Sequence, residues 1–302
     1  MRLRFYTVDV FTTRRFAGNP LAIVEAADAL TTAQMQTIAR EFNLSETIFV
    51  QTPDNPAHSA KVRIFFPTAE IPFAGHPTIG CAIHLAQQAH GGDGDFDTLI
   101  TLEEVAGLVP VKVRRKAGAV SAQLTAPVIP FAGAGKAPDR EMAAAALGLP
   151  LDAVCFGTHE IAQWQGGPTF LFIPLASRQA LADARPCEPA WSRMIGFANV
   201  DNAYCYTQGG DDPRTAFRAR MFAPTAGTPE DPATGSASSL LAAQLLTSGE
   251  LKEGLNSFKL EQGYEMGRPS DIALEVDVSG GKLEAVRIAG SSVPVSDGWI
   301  EA

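Results

Sequence analysis

Hydrophobic and polar residues alternate along many short segments of the chain, and this period of two predicts strands. A few segments instead place apolar residues three or four positions apart, which predicts helices. The clearest such segment has Thr31 as its expected N-cap, Gln34 at the capping-box distance, and an apolar face containing Met35, Ile38 and Phe42. Strands are predicted over 4–11, 21–24, 47–50, 60–66, 99–102, 108–114, 120–124, 154–163, 170–174, 203–207, 215–222, 259–262, 272–278, 282–288 and 293–295. Helices are predicted from 31 to about 43, from 75 to about 91, over 139–147 and 178–184, and from the second glycine-containing signal described below to 246.

A 25-residue segment occurs twice in diverged form, as RIFFPTAEIPFAGHPTIGCAIHLAQ from Arg63 and as RMFAPTAGTPEDPATGSASSLLAAQ from Arg220. Each copy reads as a strand, a Pro-rich turn and an apolar helix. Aligned without a gap, the copies match Ala74 with Asp231. The separation is close to half the chain, so we predict an internal duplication that produces two related lobes.

The two copies predict an α+β fold of two pseudo-symmetric lobes, each a curved, mostly antiparallel sheet or barrel around one central helix. The Pro-, Gly- and Ala-rich segment 127–138 is the best linker candidate, which gives lobes of residues 1–128 and 129–302. The last strand can belong to either lobe on this reasoning. The active site is expected between the lobes, with Ala74 and Asp231 facing each other at the starts of the two central helices.

Composition narrows the class of function. Lys and Arg number 24 against 33 Asp and Glu, a net charge of −9, which argues against nucleic acid or an anionic membrane as a partner. No signal-like start and no apolar run near the roughly 20 residues of a membrane span is present, so a cytoplasmic protein is expected. The four cysteines and five histidines lack ligand spacing, so neither a metal site nor a redox pair is expected.

Glu46 is the best candidate for a general acid/base. It lies on the turn between the predicted helix and the apolar strand 47–50, where partial desolvation would raise the pKa of its carboxyl toward neutrality. His76 follows Gly75 at the first helix start and can exchange a proton near neutral pH. The ordinary alternatives are a solvated turn glutamate and a helix-cap histidine without a catalytic task.

The second helix start offers Asp231, Gly235 and Ser236. Asp231 can serve as the N-cap of its own helix, or it can face a ligand. Gly235 and Ser236 provide backbone N–H and hydroxyl donors, and two such helix starts suit a substrate carboxylate. The segment lacks the lysine and spacing of a phosphate-binding loop, and no G-x-S-x-G elbow or dinucleotide motif occurs in the chain. No bound nucleotide, nicotinamide or flavin is therefore expected.

Four motifs together resemble the phenazine-biosynthesis PhzF-like isomerase/epimerase family. They are FAGNPLAIV at 16–24, NLSET at 43–47, FAGHPTIG at 73–80 and EDPATGSA at 230–237. The likeness covers essentially the whole chain in the right order. It implies the diaminopimelate-epimerase-like fold, a cofactor-free site in the cleft between the lobes and a homodimer.

The resemblance also implies roles for particular residues. Glu46 looks like the acid/base that moves a proton between carbons in the isomerisation of dihydro-hydroxyanthranilate. Gly75 with His76, and Asp231 with Gly235 and Ser236, look like the groups that hold the carboxylate, amine and ring of the substrate.

Two alternatives to this isomerase stay open. Related racemases place a cysteine at each helix start, where this chain has Ala74 and Asp231, which disfavours two-thiol racemisation. An epimerase or racemase of a small amino or hydroxy acid, and a non-catalytic ligand-binding or scaffold homologue, are the alternatives. Solvent deuterium incorporation distinguishes an enzyme from a binder.

Overall fold

The computed structural model describes residues 1–302, apart from the side chain of Ala226. The strands are, in chain order, β1 (Arg2–Val10), β2 (Asn19–Val24), β3 (Glu46–Gln51), β4 (Ala60–Phe65), β5 (Glu70–Ile71), β6 (Phe96–Glu104), β7 (Gly107–Lys116), β8 (Ala119–Thr125), β9 (Phe131–Ala132), β10 (Ala162–Gln165), β11 (Thr169–Pro174), β12 (Ala203–Gln208), β13 (Thr215–Ala223), β14 (Thr228–Asp231), β15 (Gly254–Gln262), β16 (Ser270–Ser279), β17 (Lys282–Gly290) and β18 (Ser292–Glu301). The helices are α1 (Thr32–Phe42), α2 (Gly75–His90), α3 (Arg140–Leu147), α4 (Arg178–Asp183), α5 (Ala190–Ala198) and α6 (Gly235–Thr247).

The chain divides into two compact units with the same order of strand pairing. Unit 1 comprises Met1–Thr125 and Ala289–Ala302, and unit 2 comprises Ala126–Ile288. In unit 1, β1–β2 is antiparallel, β2–β3 parallel, β3–β4 antiparallel, β4–β6 parallel and β6–β7 antiparallel. In unit 2, β10–β11, β11–β12, β12–β13, β13–β15 and β15–β16 repeat that series in the same senses. The predicted α+β class is confirmed.

Each unit contains one helix of the expected central kind. Helix α2 packs against β1, β2, β3, β6, β7, β8 and β18, so the strands of unit 1 surround it. Every residue from Gly75 to His84 is buried, as expected of a helix enclosed on all sides. Helix α6 packs against β10, β11 and β16 of unit 2 and is also mostly buried.

A glycine sets how closely α2 approaches its sheet. A Cβ added at Gly80 would lie 2.7 Å from both Leu21 Cδ2 and Val10 Cγ2. Both of these side chains are fully buried, so they have little room to move. Gly80 therefore allows a contact distance between helix and strands that a larger residue would prevent.

Strand register corrects the ungapped alignment of the two sequence copies. Ile64 of β4 pairs with Ile71 of β5, whereas Met221 of β13 pairs with Asp231 of β14. Ile64 and Met221 are matched positions in the alignment. The second copy therefore carries three extra residues in its turn, and Asp231 corresponds to Ile71.

The insertion changes which residues are equivalent at the helix starts. Both central helices begin at a glycine. Thr234, rather than Asp231, corresponds to Ala74, and Ser236 corresponds to His76. The predicted match of Ala74 with Asp231 is wrong because an alignment without gaps cannot register a longer turn.

One ion pair marks the same turn in both units. The guanidinium of Arg63 donates two hydrogen bonds to the Glu70 carboxylate, at 2.7 and 2.6 Å. Arg220 donates likewise to Glu230, at 2.8 and 2.9 Å. Both pairs are largely buried, so each arginine holds the return strand against the strand before the helix.

Several other predicted elements differ from the structure. The segment 154–163 forms only isolated bridges and turns before β10, whose residues continue to Gln165. Helix α5 was not predicted, although Trp191, Met194, Ile195 and Ala198 give it a buried face at helical spacing. The capping box of α1 and its end at Asn43 are confirmed.

The last strand belongs to unit 1. β18 pairs with β1 along its length, from Arg2 opposite Glu301 to Val10 opposite Ser292. The predicted division, which assigned all of 129–302 to the second lobe, misplaces this strand. Alternation along a strand indicates that it pairs, but not with which partner.

Within the described residues, no helix has both the length and the hydrophobicity that crossing a membrane requires.

Candidate active site

Glu46 and His76, which are 30 positions apart in sequence, are neighbours in unit 1. Glu46 is the first residue of β3, where it lies opposite Leu21 of β2. His76 is the second residue of α2. The Nδ1 atom of His76 lies 3.3 Å from Oε2 of Glu46, and the two residues are only 4 % and 7 % exposed. The fold therefore places a titratable ring beside a buried carboxyl.

The His76 ring is neutral at physiological pH. Burial lowers its pKa from 6.5 to about 3, and a hydrogen bond to the Pro20 carbonyl opposes that shift only in part. The Nε2 atom is buried and has no hydrogen-bond partner among the described residues. A neutral imidazole has one N–H donor and one acceptor nitrogen, so His76 adds no positive charge beside Glu46.

The loop before β2 sets the position of Pro20, the second residue of that strand, beside His76. Gly18 has φ of +65°, and a Cβ there would lie 2.2 Å from the carbonyl oxygen of Val10. Upstream, the backbone N–H of Phe16 donates to Oδ2 of Asp9 at 2.6 Å. Only glycine tolerates that conformation with so close a contact, so the FAGNP motif specifies the path of the chain.

The residues predicted from the second copy lie together in unit 2. Asp231 is the last residue of β14 and is 7 % exposed, while Gly235 and Ser236 are the first two residues of α6. The Thr234 hydroxyl donates to Oδ2 of Asp231 at 2.6 Å. The N-cap of α6 is Thr234, so the alternative that Asp231 caps this helix is wrong.

Neither central helix has a side-chain N-cap. No side chain of Ala74 accepts from the first turn of α2, and the Thr234 hydroxyl does not cap α6. Backbone N–H groups at the start of a helix carry partial positive charge and favour an anion. Gly75 and Gly235 are the first helical residues of α2 and α6, and glycine presents its backbone N–H without a Cβ beside it.

Gln262 is a site residue that sequence reasoning missed. It is fully buried, and its amide nitrogen donates to the Asp231 carbonyl at 2.8 Å and to the Thr234 hydroxyl at 2.9 Å. Its amide oxygen accepts from the Thr234 N–H at 3.0 Å. Gln262 thus fixes the whole turn between β14 and α6.

The missed signal was a second, shorter repeat. Leu102-Glu103-Glu104 in β6 corresponds to Leu260-Glu261-Gln262 in β15, because Lys61 pairs with Glu103 as Arg218 pairs with Glu261. The longer repeat ends before these strands, and three residues are too few to detect by sequence alone.

Only unit 1 carries a carboxyl at the Glu46 position. Thr47 pairs with Phe65, and Ala203 pairs with the equivalent Phe222. The residue before Ala203 is Asn202, which is therefore the counterpart of Glu46.

All four cysteines are free. Cys81 and Cys205 are fully buried, which raises the pKa of Cys81 well above its ordinary range and that of Cys205 to about 12. Among the described residues, no group of three or more His, Cys, Asp or Glu side chains is arranged to hold a metal ion.

Comparison with known proteins adds the identity of the relatives. The family of phenazine biosynthesis-like proteins (PhzC-PhzF) matches residues 8–298. An uncharacterized isomerase of Mesorhizobium japonicum is 43 % identical over 306 residues, covering 99 % of each chain. The trans-2,3-dihydro-3-hydroxyanthranilate isomerase of Pseudomonas aeruginosa is 34 % identical over 295 residues, covering 98 % of each.

A solved structure shares the fold over the full length. The PhzF-family phenazine biosynthesis protein of Bacillus anthracis superimposes with a TM-score of 0.87, covering 100 % of each chain at 24 % identity. At this identity the likeness concerns the fold.

Proposed function

The chain belongs to the family of phenazine biosynthesis-like proteins and is an isomerase, and from that premise we propose that it moves a proton between two carbons of a small carboxylate-bearing substrate. Glu46 carries the proton. The observation that supports this role is the placement of the buried Glu46 carboxyl 3.3 Å from a neutral His76, in the one unit that has a carboxyl at this position.

The proposed reaction is redox-neutral and uses one base. The Glu46 carboxylate removes a proton from one substrate carbon, the electron pair shifts through an adjacent double bond, and the protonated Glu46 returns the proton to a second carbon. One C–H bond breaks and one forms. His76, being neutral, lies beside Glu46 without adding a positive charge, which would lower the basicity that the step requires.

We propose substrate-binding roles for the residues at the two helix starts. Gly75 in α2, and Gly235 and Ser236 in α6, offer backbone N–H groups that suit a carboxylate, and Asp231 offers a carboxylate that suits an amine. Two facts support this: neither helix has a side-chain cap, and Thr234 and Gln262 hold Asp231 in place. The homodimer, the cytoplasmic location and the ancestral duplication also remain proposals, each supported by the sequence reasoning above.

Solvent deuterium exchange tests the proposal. The protein is incubated in D₂O with trans-2,3-dihydro-3-hydroxyanthranilate and with a panel of cyclic and amino carboxylic acids, and deuterium at carbon is measured by mass spectrometry. Glu46→Gln keeps the shape but cannot accept a proton. We expect it to lower the exchange rate about 10²–10⁴-fold while binding of the same acid changes little.

The control is Glu41→Gln, which removes an exposed carboxyl from α1 and should leave exchange unchanged. Exchange with Glu46→Gln at the wild-type rate would show that another group is the base, with Asp231 as the next candidate. Exchange accompanied by inversion at a single carbon would identify an epimerase, and saturable binding without exchange would identify a binding protein.

A further inference from the structure

A second buried carboxyl in unit 1 contacts the same helix as His76. Glu104 ends β6 and is 7 % exposed, and its Oε1 atom lies 2.6 Å from the hydroxyl oxygen of Thr78 in α2. The Thr78 hydroxyl also lies 2.7 Å from the carbonyl oxygen of Ala74, the N-cap of α2. The Oε2 atom of Glu104 is buried with no hydrogen-bond partner among the described residues.

Proton counting assigns the direction of these hydrogen bonds. A threonine hydroxyl has one proton and can donate to only one acceptor. If it donates to Ala74, the contact with Glu104 is a hydrogen bond only when the carboxyl itself is the donor. An ionised Glu104 would leave two oxygens in close contact without a proton between them, and a buried anion with one oxygen unpaired.

We propose that Glu104 is a positioning residue that stays protonated and, through Thr78, holds the first turn of α2, where Gly75 and His76 lie. The hydrogen bonds run from the Glu104 O–H to the Thr78 oxygen and from the Thr78 O–H to the Ala74 carbonyl.

Unit 2 supports this assignment with a neutral residue at the same position. Strand register makes Gln262 the equivalent of Glu104. A glutamine amide and a protonated glutamate are nearly isosteric, and each can donate a hydrogen bond from one side-chain terminal atom. Gln262 also holds the start of its central helix, but it does so through Thr234.

The neighbouring glutamates confirm that the register is meaningful. Glu103 accepts from the backbone N–H groups of Asp54 and Asn55, at 2.7 and 2.9 Å. Glu261 accepts from the N–H groups of Asp211 and Asp212, both at 2.9 Å. At this position both units use a glutamate that accepts from two backbone N–H groups, whereas at the next position unit 2 uses an amide.

The turn after β6 is fastened to the same segment by a second contact. The backbone N–H of Ala106 donates to the Pro72 carbonyl at 3.0 Å, just before α2 begins. Glu104 therefore contacts Thr78 near the start of α2, and Ala106 contacts Pro72 just before the helix. A change in the charge of Glu104 therefore acts on the start of α2, next to a segment that the Ala106 hydrogen bond also holds.

The titratable groups around Glu104 do not favour loss of its proton. From α2 the group that faces it is the buried Cys81 thiol, and on its own strand Glu103 makes its contacts with a different loop. Lys61 of β4 pairs with Asp54 instead, and Gly107, its partner on β7, has no side chain. Burial raises the pKa of Glu104 from 4.5 to about 8.

The stability of the protein should depend on this proton. A glutamate whose folded-state pKa is raised takes up a proton on folding between pH 4.5 and 8, so its contribution to stability falls as the pH rises through that window. We expect the unfolding constant of the wild type, relative to Glu104→Gln, to rise about tenfold per pH unit from pH 5 to 8. Chemical denaturation of both proteins at each pH measures this ratio.

Three outcomes decide the proposal. The ratio should change with pH as stated, and the infrared C=O band of a protonated carboxyl should disappear in Glu104→Gln. Gln262→Glu, the reverse change in unit 2, should introduce a new pH dependence of the same sign. A ratio that is independent of pH, together with an unchanged infrared band, would overturn the proposal even if the variants are less stable.

Hydrogen exchange tests the positioning role without a substrate. Amides of residues 78–81, corrected for intrinsic rates, should exchange faster above pH 8 in the wild type but not in Glu104→Gln. Thr78→Val, which removes the link, should exchange faster at every pH. Equal protection in all three proteins would mean that Glu104 does not hold the helix.

A last measurement rests on the proposed function. The deuterium-exchange activity of the wild type should fall about tenfold per pH unit above pH 8, and this fall should be absent in Glu104→Gln. If no substrate exchanges at any pH, the proposed function fails, while the stability and amide-exchange results still decide the role of Glu104.

Discussion

The charge of a single histidine gives the clearest prediction at the scale of residues. The pKa of His76 is lowered to about 3 by burial, so the unfolded chain binds more protons than the folded one between pH 3 and 6.5. Stability from the neutral ring is complete above pH 6.5 and is lost as the pH falls, by up to roughly 1.4 kcal/mol per pH unit. His76→Asn should therefore lose stability less steeply than the wild type between pH 6.5 and 4.

Denaturant unfolding at several pH values measures this difference. His90→Asn, at an exposed position at the end of the same helix, is the matched control and should keep the wild-type slope. If His76→Asn showed the wild-type slope as well, His76 would be protonated in the folded protein, and its proposed role as a neutral partner of Glu46 would be wrong.

At the scale of elements, the approach of α2 to its sheet depends on Gly80. Gly80→Ala places a methyl group 2.7 Å from two fully buried side chains, Leu21 and Val10. Overpacking of this kind costs about 1–3 kcal/mol, which exceeds the roughly 0.5–1 kcal/mol that alanine adds in helix propensity. The variant should be destabilised, and a displaced α2 should move His76 away from Pro20.

Gly196 in α5 offers the opposite case for comparison. A Cβ there meets no atom within 4 Å, so Gly196→Ala should stabilise the protein by roughly 0.5–1 kcal/mol. Thermal unfolding of the two variants gives the comparison. A stabilising Gly80→Ala would show that α2 has room to shift, and that this glycine does not set the helix position.

At the scale of the whole molecule, the two ends of the chain lie side by side in unit 1. The N–H of Ala302 donates to the Met1 carbonyl at 2.6 Å, next to the paired strands β1 and β18. A circular permutant that joins residue 302 to residue 1 through a short Gly-Ser linker, with new ends between Gly280 and Gly281, should fold and keep its activity.

A truncation after Gly290 is the contrasting variant. It removes β18, leaves β1 paired on one side only, with β2, and removes the Ser291 carbonyl that accepts from the Phe11 N–H. We expect it to aggregate, because a long unpaired strand edge is exposed. Circular dichroism and size-exclusion chromatography distinguish the outcomes; a well-folded truncation would show that unit 1 does not depend on its final strand.

Features that depend on local chemistry could be predicted from the amino-acid sequence alone. Neighbouring residues specify three such features, and the structure contains all of them: the capping box at Thr31, the alternation of most strands and the two strand–turn–helix copies. The choice of Glu46 and His76 rested on their positions beside an apolar strand and a helix start, and on motif resemblance, and the fold places these two residues together.

Features that depend on pairing between distant residues became visible only in the folded chain. Strand register revealed the three-residue insertion that makes Asp231 the counterpart of Ile71, and it aligned Glu104 with Gln262. The partner of β18 and the neutral state of His76 were equally inaccessible from the pattern. The physical reason is common to all four: hydrogen-bond register and burial are properties of atoms that meet only after the chain has folded, and residue spacing does not encode them.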